Sequence, residues 1–109
     1  MFWKKGRLGT GYDKRLLFQI LRPLPCDAWL LRFPPGSAAP RHIDPVPGHR
    51  HYRCNLILRK AGRGGDFLAD RPIIDLPRLK LFRSDLPHEV TRIESGVRYV
   101  LSFGVCVPI

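Results

Sequence analysis

What most constrains this chain is the shortness of its apolar runs and the residues that divide them. No segment sustains a 3.6-residue apolar period for more than two turns, so no long amphipathic helix is expected. Short alternating stretches recur instead, roughly 8 to 12 residues apart, divided by proline and glycine. The 109 residues hold 11 prolines and 10 glycines, enough to end every stretch before a helix could propagate. The pattern predicts an all-β barrel or sandwich. Residues 16–21 read as a strand, though one helical turn is an open alternative. Strands are expected over 28–33, 52–58, 66–69, 73–76, around Leu79, Leu81 and Phe82, over 88–93, and over 97–107. In 52–58, Tyr52, Cys54, Leu56 and Leu58 alternate with Arg53, Asn55, Ile57 and Arg59, and residues 61–65 read as a hairpin connection. The 97–107 run is the longest, broken by polar groups only at Arg98 and Ser102, with Gly104 a candidate bulge.

The length suits a single domain over 1–109, with residues 1–15 forming a basic N-terminal arm. Apolar residues make up 44%, sufficient for a core and too many for a disordered chain. In the arm, Phe2, Trp3, Lys4, Lys5 and Arg7 interleave aromatic and cationic groups. They suit either a stacking surface for single strands or an aromatic anchor against the core. Gly9-Thr10-Gly11 is too short for a phosphate loop. The net charge is +10, which favours polyanions or acidic small molecules, nucleic acid included, as partners. Cys26, Cys54 and Cys106 are odd in number and lack C-x-x-C spacing, so they read as free thiols of a reducing compartment. The N-terminus builds no apolar core of a signal peptide, and no run approaches the roughly 20 residues of a membrane span. A soluble cytoplasmic protein is expected.

Chemistry concentrates in Arg41-His42-Ile43-Asp44-Pro45. On an extended strand, positions i and i+2 share a face, so His42 and Asp44 would aim an imidazole and a carboxylate together. His88 completes two imidazoles and one carboxylate, the facial set that suits Fe(II) with open coordination positions. Arg98 stands in a strand otherwise fit for burial. A buried guanidinium requires an anionic partner, and the nearest acids in sequence, Asp85, Glu89 and Glu94, lie in or beside expected turns. A dicarboxylate ligand would satisfy it through a bidentate fork.

His42-x-Asp44, His88 46 residues after His42, and Arg98 ten residues further resemble the Fe(II)/2-oxoglutarate-dependent dioxygenases. The resemblance covers about residues 33–107. It includes Pro34-Pro35-Gly36-Ser37, Gly64-Gly65-Asp66-Phe67, Leu86-Pro87-His88-Glu89-Val90 and Gly96-Val97-Arg98-Tyr99. It implies a double-stranded β-helix, or jelly roll. It also implies an enzyme that hydroxylates a substrate while converting 2-oxoglutarate to succinate and CO2. His42, Asp44 and His88 are then the iron ligands, and Arg98 binds the distal carboxylate of 2-oxoglutarate. Where some members place Ser or Thr two residues beyond that Arg, this chain has Val100, and Ser102 on the same face is the substitute. Tyr52 and Asn55 point to opposite faces of a strand where relatives offer a hydrogen-bonding residue, so one at most serves, with Tyr52 slightly favoured. His49-x-His51 resembles the opening of a cupin metal motif, but no acidic residue follows before Asp66. Residues 49–53 therefore read as a basic loop at the mouth of the site. There Arg50, His51 and Arg53 would meet substrate, whether a phosphate backbone or an acidic peptide, or form a solvated turn. A non-catalytic basic jelly roll that binds nucleic acid or an acidic partner is the alternative.

Overall fold

In the computed structural model, residues 4–5, 11–20 and 24–109 are described. Phe2, Trp3, Arg7 and the Gly9-Thr10 pair lie outside the described residues. The described residues contain twelve strands and no helix, as the punctuation predicts. The strands are β1 (Lys4–Lys5), β2 (Asp13–Ile20), β3 (Cys26–Phe33), β4 (Ala39–His42), β5 (His49–Arg59) and β6 (Arg63–Gly64). After them come β7 (Phe67–Ala69), β8 (Ile74–Asp75), β9 (Leu79–Arg83), β10 (His88–Val90), β11 (Ile93–Ser95) and β12 (Arg98–Pro108). A large antiparallel sheet runs β1-β2-β3-β12-β5-β9-β8, a smaller one β4-β10-β7, and β11 pairs β6. The buried cluster draws Phe33, Ile57 and Val100 from the large sheet, Ala39 and Val90 from the smaller sheet, and Ile93 from the pair. The sheets thus close over one interior, and the fold is a double-stranded β-helix.

β12 is the spine. Its inward row is Arg98, Val100, Ser102, Gly104 and Cys106, every one buried. Register places Phe33, Leu31, Trp29 and Asp27 of β3 beside Arg98, Val100, Ser102 and Gly104. On the other side, Ile57, Asn55, Arg53 and His51 of β5 stand beside Val100, Ser102, Gly104 and Cys106. Gly104 is no bulge, because the register runs through it unbroken on both sides. A Cβ there would lie 2.2 Å from Arg53 Nη2 and 2.9 Å from Asp27 Oδ1, so glycine leaves room for an ion pair.

Four further expectations change. Asp44 is not on the strand with His42: β4 ends at His42, and the Asp44 N–H donates instead to Ser84 O at 2.7 Å, just before Pro45, which has no N–H to continue a ladder. Residues 49–53 are not a loop but the start of β5, paired with β12 from His49 onward. The expected 88–93 strand is two, because Thr91 N–H turns to Asp66 O at 2.9 Å between β10 and β11. The expected arm is structured where it is described: Lys4–Lys5 pairs with Asp13 and Lys14, and β2 pairs with β3 from Asp13 onward. The Pro34-Pro35-Gly36-Ser37 turn forms as its residues predict. Gly36 takes φ +86°, and Ser37 N–H donates to Pro34 O at 3.1 Å. All three cysteines are free, and burial pushes the Cys106 thiol up, away from reactivity. Among the described residues no helix is long and apolar enough to cross a membrane.

Candidate metal centre

β4 and β10 are antiparallel neighbours with His42 directly opposite His88, which sets the two rings 4.3 Å apart. The loop after β4 brings Asp44 back to them. Asp44 Oδ2 lies 3.5 Å from His42 Nε2 and 3.4 Å from His88 Nε2. The three donor atoms lie within 4.8 Å of one another, and two donors bound at right angles about 2.1 Å from a shared ion stand about 3 Å apart, so the set must draw together to seat a metal. Both rings are prepared for it. His42 Nδ1 donates to Pro40 O at 2.5 Å and His88 Nδ1 to Leu86 O at 2.9 Å, which turns each Nε2 toward the carboxylate. Partial burial pushes the Asp44 carboxyl up, but hydrogen bonds and charge from His42 and His88 outweigh it and hold the group well below the usual carboxylate range.

Two residues hold Asp44 without themselves being ligands. Ser84 Oγ donates to Asp44 Oδ2 at 3.1 Å, and His51 Nδ1 donates to Asp44 O at 3.0 Å. Neither role is legible in sequence, since both depend on β5 and β9 lying side by side. The triad opens into a cavity of about 240 Å³ lined by Tyr12, Lys14, Trp29, Phe33, Asn55 and Ser102 among others. Arg53 lies along its floor, donating to Ser102 Oγ at 2.7 Å and to Asp27 Oδ1 at 2.5 Å. Asn55 is 6% exposed, and its Oδ1 has no hydrogen-bond partner among the described residues.

The residues expected to meet substrate or cosubstrate divide accordingly. His51, Arg53 and Ser102 border this cavity. Arg50 is exposed and borders neither this cavity nor the second one described below. Tyr52, favoured over Asn55, is on the opposite face of β5 and does not border the cavity; Asn55 does. Arg98 is 2% exposed, stacked 5.2 Å from the Phe33 ring, and Nη2 has no hydrogen-bond partner among the described residues. The acids nearest to it in sequence are engaged elsewhere: Asp85 with Arg83, Glu89 with Arg41, Glu94 with Arg63. Burial pushes the Arg98 guanidinium down to about 10, and the charge of Asp66 offsets this only in part. Arg98 borders a second cavity of about 400 Å³, and Phe67 borders both.

No protein-family model matches the sequence, and neither does any curated protein. Solved structures do. The chain is similar to the Rhodobacter sphaeroides SigE complex with the anti-sigma ChrR, at 22% identity and TM-score 0.57, over 94% of this chain and 48% of that one. It is also similar to an RmlC-like cupin protein of Desulfovibrio desulfuricans, at 17% identity and TM-score 0.58, over 89% and 82%. A third is the viral collagen prolyl hydroxylase vCPH of Paramecium bursaria Chlorella virus-1 in its 2-oxoglutarate complex, at 15% identity and TM-score 0.60, over 90% and 62%. The chain thus spans about half of the first and less than two thirds of the last. At such identities the likeness is one of fold: this is a cupin-type jelly roll carrying a candidate His-Asp-His metal site.

Proposed function

We propose that the chain is an Fe(II)- and 2-oxoglutarate-dependent dioxygenase that hydroxylates a substrate and releases succinate and CO2. One observation carries the reading: His42, Asp44 and His88 present two imidazole nitrogens and a carboxylate oxygen within 4.8 Å of one another at the wall of a cavity. That donor set suits Fe(II) with open positions. Fit to a dicarboxylate is supported by Arg98, whose buried Nη2 has no hydrogen-bond partner among the described residues. Bound together, Fe(II) and 2-oxoglutarate supply the activation of O2, with one oxygen atom ending in succinate and the other in the hydroxylated product.

The chain's own residues supply the rest. His42 and His88 bind through Nε2, their rings oriented by Pro40 and Leu86 carbonyls, and Ser84 fixes the carboxylate of Asp44. Arg98 takes the distal carboxylate, and the Asn55 amide is a hydrogen-bonding contact on the cavity wall. Ser102 accepts from Arg53 and retains its own hydroxyl proton to donate. Tyr12, Trp29, Phe33 and Phe82 line the cavity and exclude water. His51 and Arg53 are the side of the site nearest substrate. Incubating the Fe(II)-loaded chain with 2-oxoglutarate and O2 should release succinate even without substrate, and His88→Ala should abolish the release. Equal succinate from His88→Ala and wild type would overturn the reading. The other reading, a non-catalytic jelly roll binding nucleic acid or an acidic partner, is favoured by the net charge of +10.

A further inference from the structure

The second cavity is unusually cationic. Lys60, Arg63, Lys80 and Arg98 border it, with Asp66 the acid among its lining residues. It is also built, not merely open. The Gly65 backbone, at φ +72°, packs against Ile93 and the Arg98 stem. A Cβ there would lie 2.4 Å from Ile93 Cδ1 and 3.4 Å from Arg98 Cδ. Arg98 keeps Nη2 without a hydrogen-bond partner among the described residues. A buried guanidinium donor left in this state is favourable only when an anion arrives.

Lys80 has the complementary position. It is on β9 opposite Asn55, its side chain is 14% exposed, and its Nζ is held 2.5 Å from Asp75 Oδ1. An ammonium has three donors, so two remain for another partner. Asp75 is more than half exposed, which makes it a replaceable tether. We propose that Lys80 is a second anchor, forming with Arg98 a two-cation cradle for one carboxylate of a dicarboxylate. The identity of that dicarboxylate as 2-oxoglutarate rests on the dioxygenase reading. Phe67, tilted against Phe82 with ring centres 4.6 Å apart and bordering both cavities, is the side chain such a molecule passes between cradle and metal.

The test titrates the full 109-residue chain, free of metal, with 2-oxoglutarate by calorimetry. Wild type should bind, and Lys80→Met and Arg98→Met should each weaken binding about tenfold or more. Lys80→Arg should restore it, and Asp75→Asn, which removes the competing carboxylate without touching the interior, should tighten it. Absence of metal-free binding to wild type would overturn the cradle. So would wild-type affinity in Lys80→Met alongside loss in Arg98→Met, an outcome that leaves the dioxygenase reading standing. If instead Fe(II) fails to bind wild type while the anion still depends on both cations, the dioxygenase reading falls and the cradle stands.

Discussion

At the scale of single residues, Arg98 carries the strongest signature of a ligand site. Its burial lowers the guanidinium from its ordinary value to about 10, a gap that costs on the order of 3 kcal/mol of stability at neutral pH. Between those two values the unfolded chain holds the proton and the folded chain has released it, so stability rises with pH in that window. Below it, both states are charged and the cost is fully present. Arg98→Met should therefore stabilise the ligand-free protein by about 1 to 3 kcal/mol in urea unfolding at pH 7. The same change should weaken 2-oxoglutarate binding. A destabilised Arg98→Met would mean that the guanidinium is a structural partner and not a waiting site. The sequence made this residue conspicuous because a charge in an apolar run is rare and local. It also set the nearest acids, Asp85, Glu89 and Glu94, in or beside turns, but could not show that each is occupied by Arg83, Arg41 or Arg63.

At the scale of elements, β5 explains both what could be read and what could not. Its alternation is plain in sequence, but alternation does not say which face is inside. Leu56 and Leu58 point out, exposed at 39% and 48%, and the polar Arg53 and Asn55 share the inward face with Ile57. The interior of this barrel holds a polar site, so ordinary hydrophobic sorting is inverted here, and Tyr52 was favoured where Asn55 lines the cavity. The contacts of Ser84 and His51 with Asp44 are not legible for a related reason: they arise from strand adjacency, which leaves no spacing signature. Gly104 is the counterpart on β12. Its Cβ-free backbone accommodates Arg53, which Asp27 and Ser102 pin in place. Gly104→Ala should cost about 1 to 3 kcal/mol through that overlap. The same substitution in an Arg53→Met background should cost less, and a double-mutant cycle in urea reads the difference directly. Equal costs in the two backgrounds would show that Arg53 is not what the glycine accommodates.

At the scale of the whole molecule, the all-β class was legible from punctuation and the jelly roll through the resemblance, while the grouping of His42, Asp44 and His88 was legible because His42 and Asp44 are close in sequence and β10 begins at His88. Partner class was not, because a net charge of +10 raises the local concentration of every polyanion alike. Exposed Arg50 and Arg59 predict that any oligonucleotide binding weakens as salt rises, with a linear dependence of log affinity on log salt. Salt-insensitive binding would point to an apolar contact instead. The central claim, that His42, Asp44 and His88 hold Fe(II) beside a 2-oxoglutarate site ending at Arg98, is tested most directly by anaerobic visible absorption. Wild type with Fe(II) and 2-oxoglutarate should develop the weak charge-transfer band of a chelated 2-oxo acid, lost in His42→Ala and weakened in Arg98→Met. A folded wild-type protein that takes up no iron and develops no band would contradict the account.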